Sequence, residues 1–151
     1  MTVTSERGKM RRTNDIILSF GGINGALNPD SPEADEHAQR YYGLVRSMKT
    51  DCKRIAQNTG FREEDIRRIK NYVFYQEHEL YDGEFARFDP SYHMARSWQR
   101  LIDGRNIESR DVVMLNHEFL ESVFMEEGLK YSEAHDIAEQ TYNYGEAIKK
   151  R

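Results

Sequence analysis

From Ser31 onward the apolar residues return every three or four positions, and glycines interrupt the runs at 60, 83, 104 and 128. A period near 3.6 draws an apolar stripe on a helix, whereas a strand needs alternation. Striped helices bury that stripe only by packing on one another. The expected fold is therefore all-α: a single domain of about five helices, with room for a small β-hairpin within residues 75–89. The chain has 151 residues, 32% of them charged and 38% hydrophobic, which suits one modest core rather than two.

Local signals place the elements. Residues 1–15 are polar and aperiodic, Ile16 to Phe20 form a short apolar run, and a Gly-, Pro- and Asn-rich loop follows. Residues 1–30 thus read as a flexible arm and loop, and 31–151 as the helical domain. Ser31-Pro32-Glu33 is a helix start, with Ala34, Ala38, Tyr41, Val45 and Met48 on one face and His37 at its edge. Ala56, Gly60, Ile66 and Ile69 have helix-turn-helix spacing. The positions that would meet base edges are Arg62, Glu63, Glu64 and Asp65, so phosphate would meet three carboxylates. A structural turn is the reading this favours over DNA recognition. Asp89-Pro90 opens a helix with Met94, Ala95, Trp98, Leu101 and Ile102 inward and His93 off the stripe. Ser109 or Asp111 caps the next, whose inner face is Val113, His117, Leu120 and Phe124. After Gly128, Ser132 caps a last helix with Ala134, Ile137, Ala138 and Thr141 inward and His135 beside them, and the chain ends in a fraying basic tail.

The formal net charge of −4 gives no global attraction to nucleic acid or anionic membrane. The single cysteine, Cys52, excludes an internal disulfide and reads as a small helix residue. No apolar run reaches the ~20 residues of a membrane span, and the first 15 residues lack the apolar segment of a secretory signal. A cytoplasmic origin is expected, with virion association or export on a carrier as routes onward.

The chemistry concentrates in residues 111–142. His117-Glu118 begins like H-E-x-x-H, but Glu121 occupies the fourth position onward. A metal could still be held by His117, Glu121 and His135, zinc being the ordinary ion for such a set, with Glu118 as base on bound water. The same residues equally suit a polar brace between two packed helices. His78, between two glutamates, reads as a solvated turn residue or as a further site member. The catalytic reading expects His117 and His135 to converge on a cleft. The brace reading expects a buried, fully hydrogen-bonded His117 with no pocket beside it.

Four segments together resemble a known family: GGINGALNPDSPEADEHAQRYYGLVR, IAQNTGFREEDIRRIKNYVFYQEHEL, RFDPSYHMARSWQRLIDG and DVVMLNHEFLESVFMEEGLKYSEAHDIAEQTYNY. They look like the C-terminal domain of phage minor head (head-morphogenesis) proteins of Gram-positive bacteria, related to C-terminal modules of polymorphic toxins. The resemblance implies a phage or toxin context, in which such modules are often nucleases, ADP-ribosyltransferases or peptidases. It supplies no reaction. It implies roles for His78, Trp98, Arg100, His117, Glu118, Glu121 and His135, and Tyr72 stands where many relatives have histidine. The expected function is a C-terminal effector domain, hydrolytic through its His/Glu cluster, with Arg100 holding an anion. The implied partners are a phage head or toxin carrier protein and an immunity protein. The alternatives are a non-enzymatic interaction module and a helix-turn-helix DNA binder.

Overall fold

The computed structural model describes residues 28–149; the readings for Ile16 to Phe20 and most of the N-terminal arm fall outside them. Within these residues the chain is mostly α-helical, with one small hairpin. The helices are α1 (Pro32–Ser47), α2 (Asp51–Thr59), α3 (Glu63–Lys70), α4 (Tyr92–Asp103), α5 (Ser109–Glu126), α6 (Tyr131–Thr141) and α7 (Tyr144–Lys149). A π-helical turn, Asn71–Tyr75, continues α3. Strands β1 (His78–Tyr81) and β2 (Glu84–Ala86) pair antiparallel, with His78 opposite Ala86 and a register shift between Glu79 and Tyr81. No helix among the described residues is long and apolar enough to cross a membrane.

The helix starts show which signals the chain obeys. Ser31 Oγ accepts from the Ala34 amide at 3.1 Å, with Pro32 at the first helical position. For α4 the cap is Ser91, not Asp89, because its hydroxyl takes the Met94 amide at 3.2 Å. Helix α5 is capped at Glu108: Asp111 lies in the first turn and takes the Glu108 amide at 2.8 Å. In α6 the same role falls to Glu133, which takes the Lys130 amide at 3.1 Å, so Ser132 is an exposed helix residue and not the cap. In both, a carboxylate three residues past the cap closes on the cap amide, the reciprocal half of a capping box. The expected basic tail folds as α7.

The core lies among α1 to α5. Trp98, Tyr41, Phe74, Ile55, Ile66, Ile69, Leu101, Met114 and Leu115 are fully buried in it. The inner face of α5 is turned from the expected one. Met114 and Leu115 reach the core, while Val113, Leu120 and Phe124 are half-buried. On α6 only Ala134 and Ala138 are buried; Ile137 and Thr141 are exposed. The two alanines let α6 lie close on α5, its principal partner.

The α2–α3 unit turns at Gly60, in the left-handed conformation at φ 86°. Its second helix packs on α5, and the cations of residues 62–70 are paired: Arg62 with Glu64 and Asp65, Arg67 with Glu63, Arg68 with Glu126, and Lys70 with Asp51. Cys52 is buried, and burial pushes its thiol up to about 12, so it is held as an unreactive thiol.

Candidate functional site: a histidine–glutamate clasp between α5 and α6

Glu121 is the centre of the clasp. It lies on the buried side of α5, 2% exposed, one turn beyond His117. Its Oε2 accepts from His117 Nε2 at 3.2 Å and from His135 Nδ1 at 2.9 Å. Its Oε1 accepts from the Tyr72 hydroxyl at 2.6 Å. Burial would raise the Glu121 pKa, but these three donors hold it below the ordinary carboxylate value. The two imidazoles stand edge to face, with centroids 5.1 Å apart.

Three turns of backbone create this convergence. Gly128, at φ 103°, ends α5; its amide bonds to Met125 O and the Leu129 amide to Phe124 O, a paired reversal that returns the chain along α5. This return brings His135 over Glu121. The π turn at residues 71–75 buries Tyr72, Val73 and Phe74 in succession, so Tyr72 reaches the clasp while Phe74 packs on Trp98. At the end of α6 the backbone becomes extended at Tyr142, and its carbonyl accepts from His117 Nδ1 at 3.0 Å.

His117 is 2% exposed and bonded at both nitrogens. A carbonyl and a carboxylate are both acceptors, so each ring nitrogen carries hydrogen and the ring is an imidazolium. Burial alone would lower its pKa; the Glu121 bond, the Glu118 charge and the Tyr142 carbonyl outweigh it and raise it to about 9. Glu139 Oε1 lies 3.2 Å from Nδ1 and adds negative charge there. The Glu139 carboxylate also takes the amides of Tyr144 and Gly145, each at 3.2 Å. A Cβ on Gly145 would sit 2.8 Å from Glu139 Oε2, so glycine is what permits this approach.

Glu118 differs from its neighbours. Its half-buried carboxyl accepts no hydrogen bond among the described residues. It faces a cavity of about 400 Å³ whose wall also includes His117, Glu121, His135, Glu139 and Tyr131. Burial first, then the Glu121 charge, raise its pKa to about 8 against the pull of His117. Two overlapping groups could hold a metal: His117, Glu118 and Glu121, or His117, His135 and Glu139, each with ligand atoms within 4.8 Å of one another.

His78 and Arg100 stand apart. His78 is buried at the start of β1, with Nε2 bonded to the Tyr72 carbonyl at 2.8 Å. Its ring forms a triangle with those of Tyr72 and Phe88, each 4.5 Å from it and 5.3 Å from one another, so it packs on Tyr72 without reaching the clasp. The Arg100 guanidinium is closed on Asp111, with bonds of 2.8 and 2.7 Å, and is absent from the cavity wall. That two-pronged pair corrects the expectation of an anion holder: the positions an anion would take are filled from within. Glu139 was missed, although His135 and Glu139 share one face of α6 at four-residue spacing. The Tyr142 carbonyl has no sequence signal, since backbone acceptors are common to every residue.

The fold and clasp define a mostly-α domain with a polar His–Glu centre open to a cavity. Compared with protein-family models, characterised proteins and solved structures, the chain finds no match.

Proposed function

We propose that the chain is a hydrolytic C-terminal effector domain, of the phage- or toxin-borne kind its sequence resembles, with its reaction centre at the α5–α6 clasp. One observation carries this reading. A carboxyl with no hydrogen bond among the described residues, Glu118, faces a cavity alongside the hydrogen-bonded His117–Glu121–His135 relay. A brace needs no cavity and leaves no carboxyl without a partner. Glu118 is the group able to exchange a proton with a bound molecule, and the relay behind it fixes its surroundings. The wall carries Asp89, Glu118, Glu121 and Glu139 against two histidines, which suits a neutral or cationic substrate better than a phosphodiester backbone.

The test is growth of cells expressing the chain, with hydrolysis of ester, peptide and glycoside reporters by the purified protein. Wild type is expected to arrest growth or cleave one reporter class, and Glu118→Gln to lose both at equal expression. Equal toxicity and turnover in the variant, or no effect of wild type in either assay, would overturn the reading.

A second reading has its own support. The hairpin exposes Tyr81 (73%) and Phe85 (63%), a pair of aromatics suited to a protein partner such as a phage head, carrier or immunity protein. Binding of such a partner lost on Tyr81→Ala and Phe85→Ala, with Glu118→Gln silent, would favour an interaction module.

A further inference from the structure

We propose that His117, Glu118 and Glu121 form the protein side of a site for a divalent first-row metal ion, Zn²⁺ or Mn²⁺, which takes the place of the proton between His117 Nε2 and Glu121 Oε2. The role of the ion in hydrolysis rests on the function proposed above; the site itself does not.

Four observations carry it. The ligand atoms of the three residues lie within 4.8 Å of one another. His117 is oriented as a metal-binding histidine is, with Nδ1 on the Tyr142 carbonyl at 3.0 Å and Nε2 turned to the carboxylates. The 3.2 Å separation of Nε2 and Glu121 Oε2 is long for a charged hydrogen bond. It matches the edge between two neighbouring ligands at bonds of about 2.1 Å and angles of roughly 90–110°. Finally, Tyr72 on Oε1 and His135 on Oε2 fix the Glu121 carboxylate, and Glu118 stands at the cavity, where water or substrate could complete the coordination.

The geometry changes the metal set expected from the sequence. His135 donates Nδ1–H to Glu121 and becomes an orienting residue, and Glu118 takes its place as ligand. The rival group of His117, His135 and Glu139 is weaker because its atoms are engaged elsewhere. His117 Nδ1 is on a carbonyl, His135 Nδ1 is on Glu121, and Glu139 holds the amides of Tyr144 and Gly145. One imidazole and two carboxylates suit zinc or manganese. A bound ion would supply a water of lowered pKa at neutral pH, and that water would then replace the Glu118 carboxyl as the proton-exchanging group.

The test is calorimetric titration of the chelator-stripped chain with ZnCl₂ and with MnCl₂, each in two buffers of different ionisation enthalpy. A single ion per chain is expected, bound with proton release because the ion displaces the Nε2 proton. Glu121→Gln should abolish binding. Glu118→Gln should weaken it at least about tenfold without lowering the melting transition, since that carboxyl makes no hydrogen bond among the described residues. Glu139→Gln should shift affinity by no more than about threefold. The proposal is overturned if neither ion binds, or if Glu139→Gln weakens binding more than Glu118→Gln. Hydrolysis or toxicity that survives EDTA would remove the ion from the reaction and spare the hydrolytic reading, leaving the site to the calorimetric result. Tight, Glu118-dependent binding with neither activity would do the reverse.

Discussion

Two kinds of buried polar cluster coexist in this molecule. In the core, Asp51 accepts from Lys70 at 2.9 Å, the Trp98 indole at 3.1 Å and the Cys52 amide at 2.9 Å. Asp111 accepts from both prongs of Arg100, from Ser97 at 2.6 Å and from the Glu108 amide. Each has one buried cation for one buried anion, and neither aspartate lines the clasp cavity. The clasp gathers Glu118, Glu121 and Glu139 around His117 and His135 and opens to a cavity. Burial of charge does not by itself mark a functional site. An unbalanced set of charges beside open space does, because a fold alone gains nothing from leaving it incomplete.

The largest effect expected from this contrast is in a balanced cluster. Asp111→Ala strands the buried Arg100 and should cost about 3–5 kcal/mol, a drop of roughly 10 °C in melting temperature by circular dichroism. A drop under about 3 °C would remove the distinction drawn here. His117→Ala should cost about 2–3 kcal/mol, because Glu121 and the Tyr142 carbonyl lose a buried charged donor. Chemical denaturation measures this, and an unchanged midpoint would mean that the clasp does not brace α6.

The clasp alone should respond to mild alkali. The folded His117 pKa, about 9, lies above the ordinary value of 6.5, so its contribution is fully present below about pH 6.5 and lost as pH rises through 9. Glu118 is raised to about 8, and it too favours the folded state less once it ionises. The chelator-treated chain should therefore lose on the order of 2 kcal/mol between pH 7 and pH 9. A flat profile over that window would contradict the imidazolium assignment. The smallest effect belongs to Glu118→Gln. Its stability at pH 7 should not fall below that of wild type, because a carboxyl whose pKa folding raises to about 8 favours the unfolded chain at that pH, and its decline toward pH 9 should be shallower. A loss of several kcal/mol would show that Glu118 is structural after all.

Much of the architecture was legible in residue order. The helical period, the Ser31-Pro32 start, the reversal at Gly60, the helix ends at Gly104 and Gly128, and the hairpin between 75 and 89 are all local, short-range consequences of backbone and side-chain chemistry. So is the placing of His117 and Glu121 on one side of α5, which four-residue spacing dictates. Cap identity was harder to read. Asp111 and Glu133 act from within the first turn, and whether a carboxylate caps from the first or the fourth position depends on where the backbone leaves the helix. The inner faces of α5 and α6 were misjudged for a related reason. Small alanines set the close approach, while larger apolar residues beside them remained at the rim.

Tertiary packing alone decided what the clasp contains. Tyr72 and Glu121 are 49 positions apart in sequence, and Tyr142 lies 25 positions from His117. Only the π turn and the reversal after Gly128 bring them to one carboxylate. Packing also closed Arg100 onto Asp111 and set the His78 ring against that of Tyr72. The sequence by itself determined which helices form and which residue types could do chemistry, because those depend on neighbours a few positions away. Which of those residues share a proton, and which face the cavity, depended on three-dimensional contacts that no local pattern encodes.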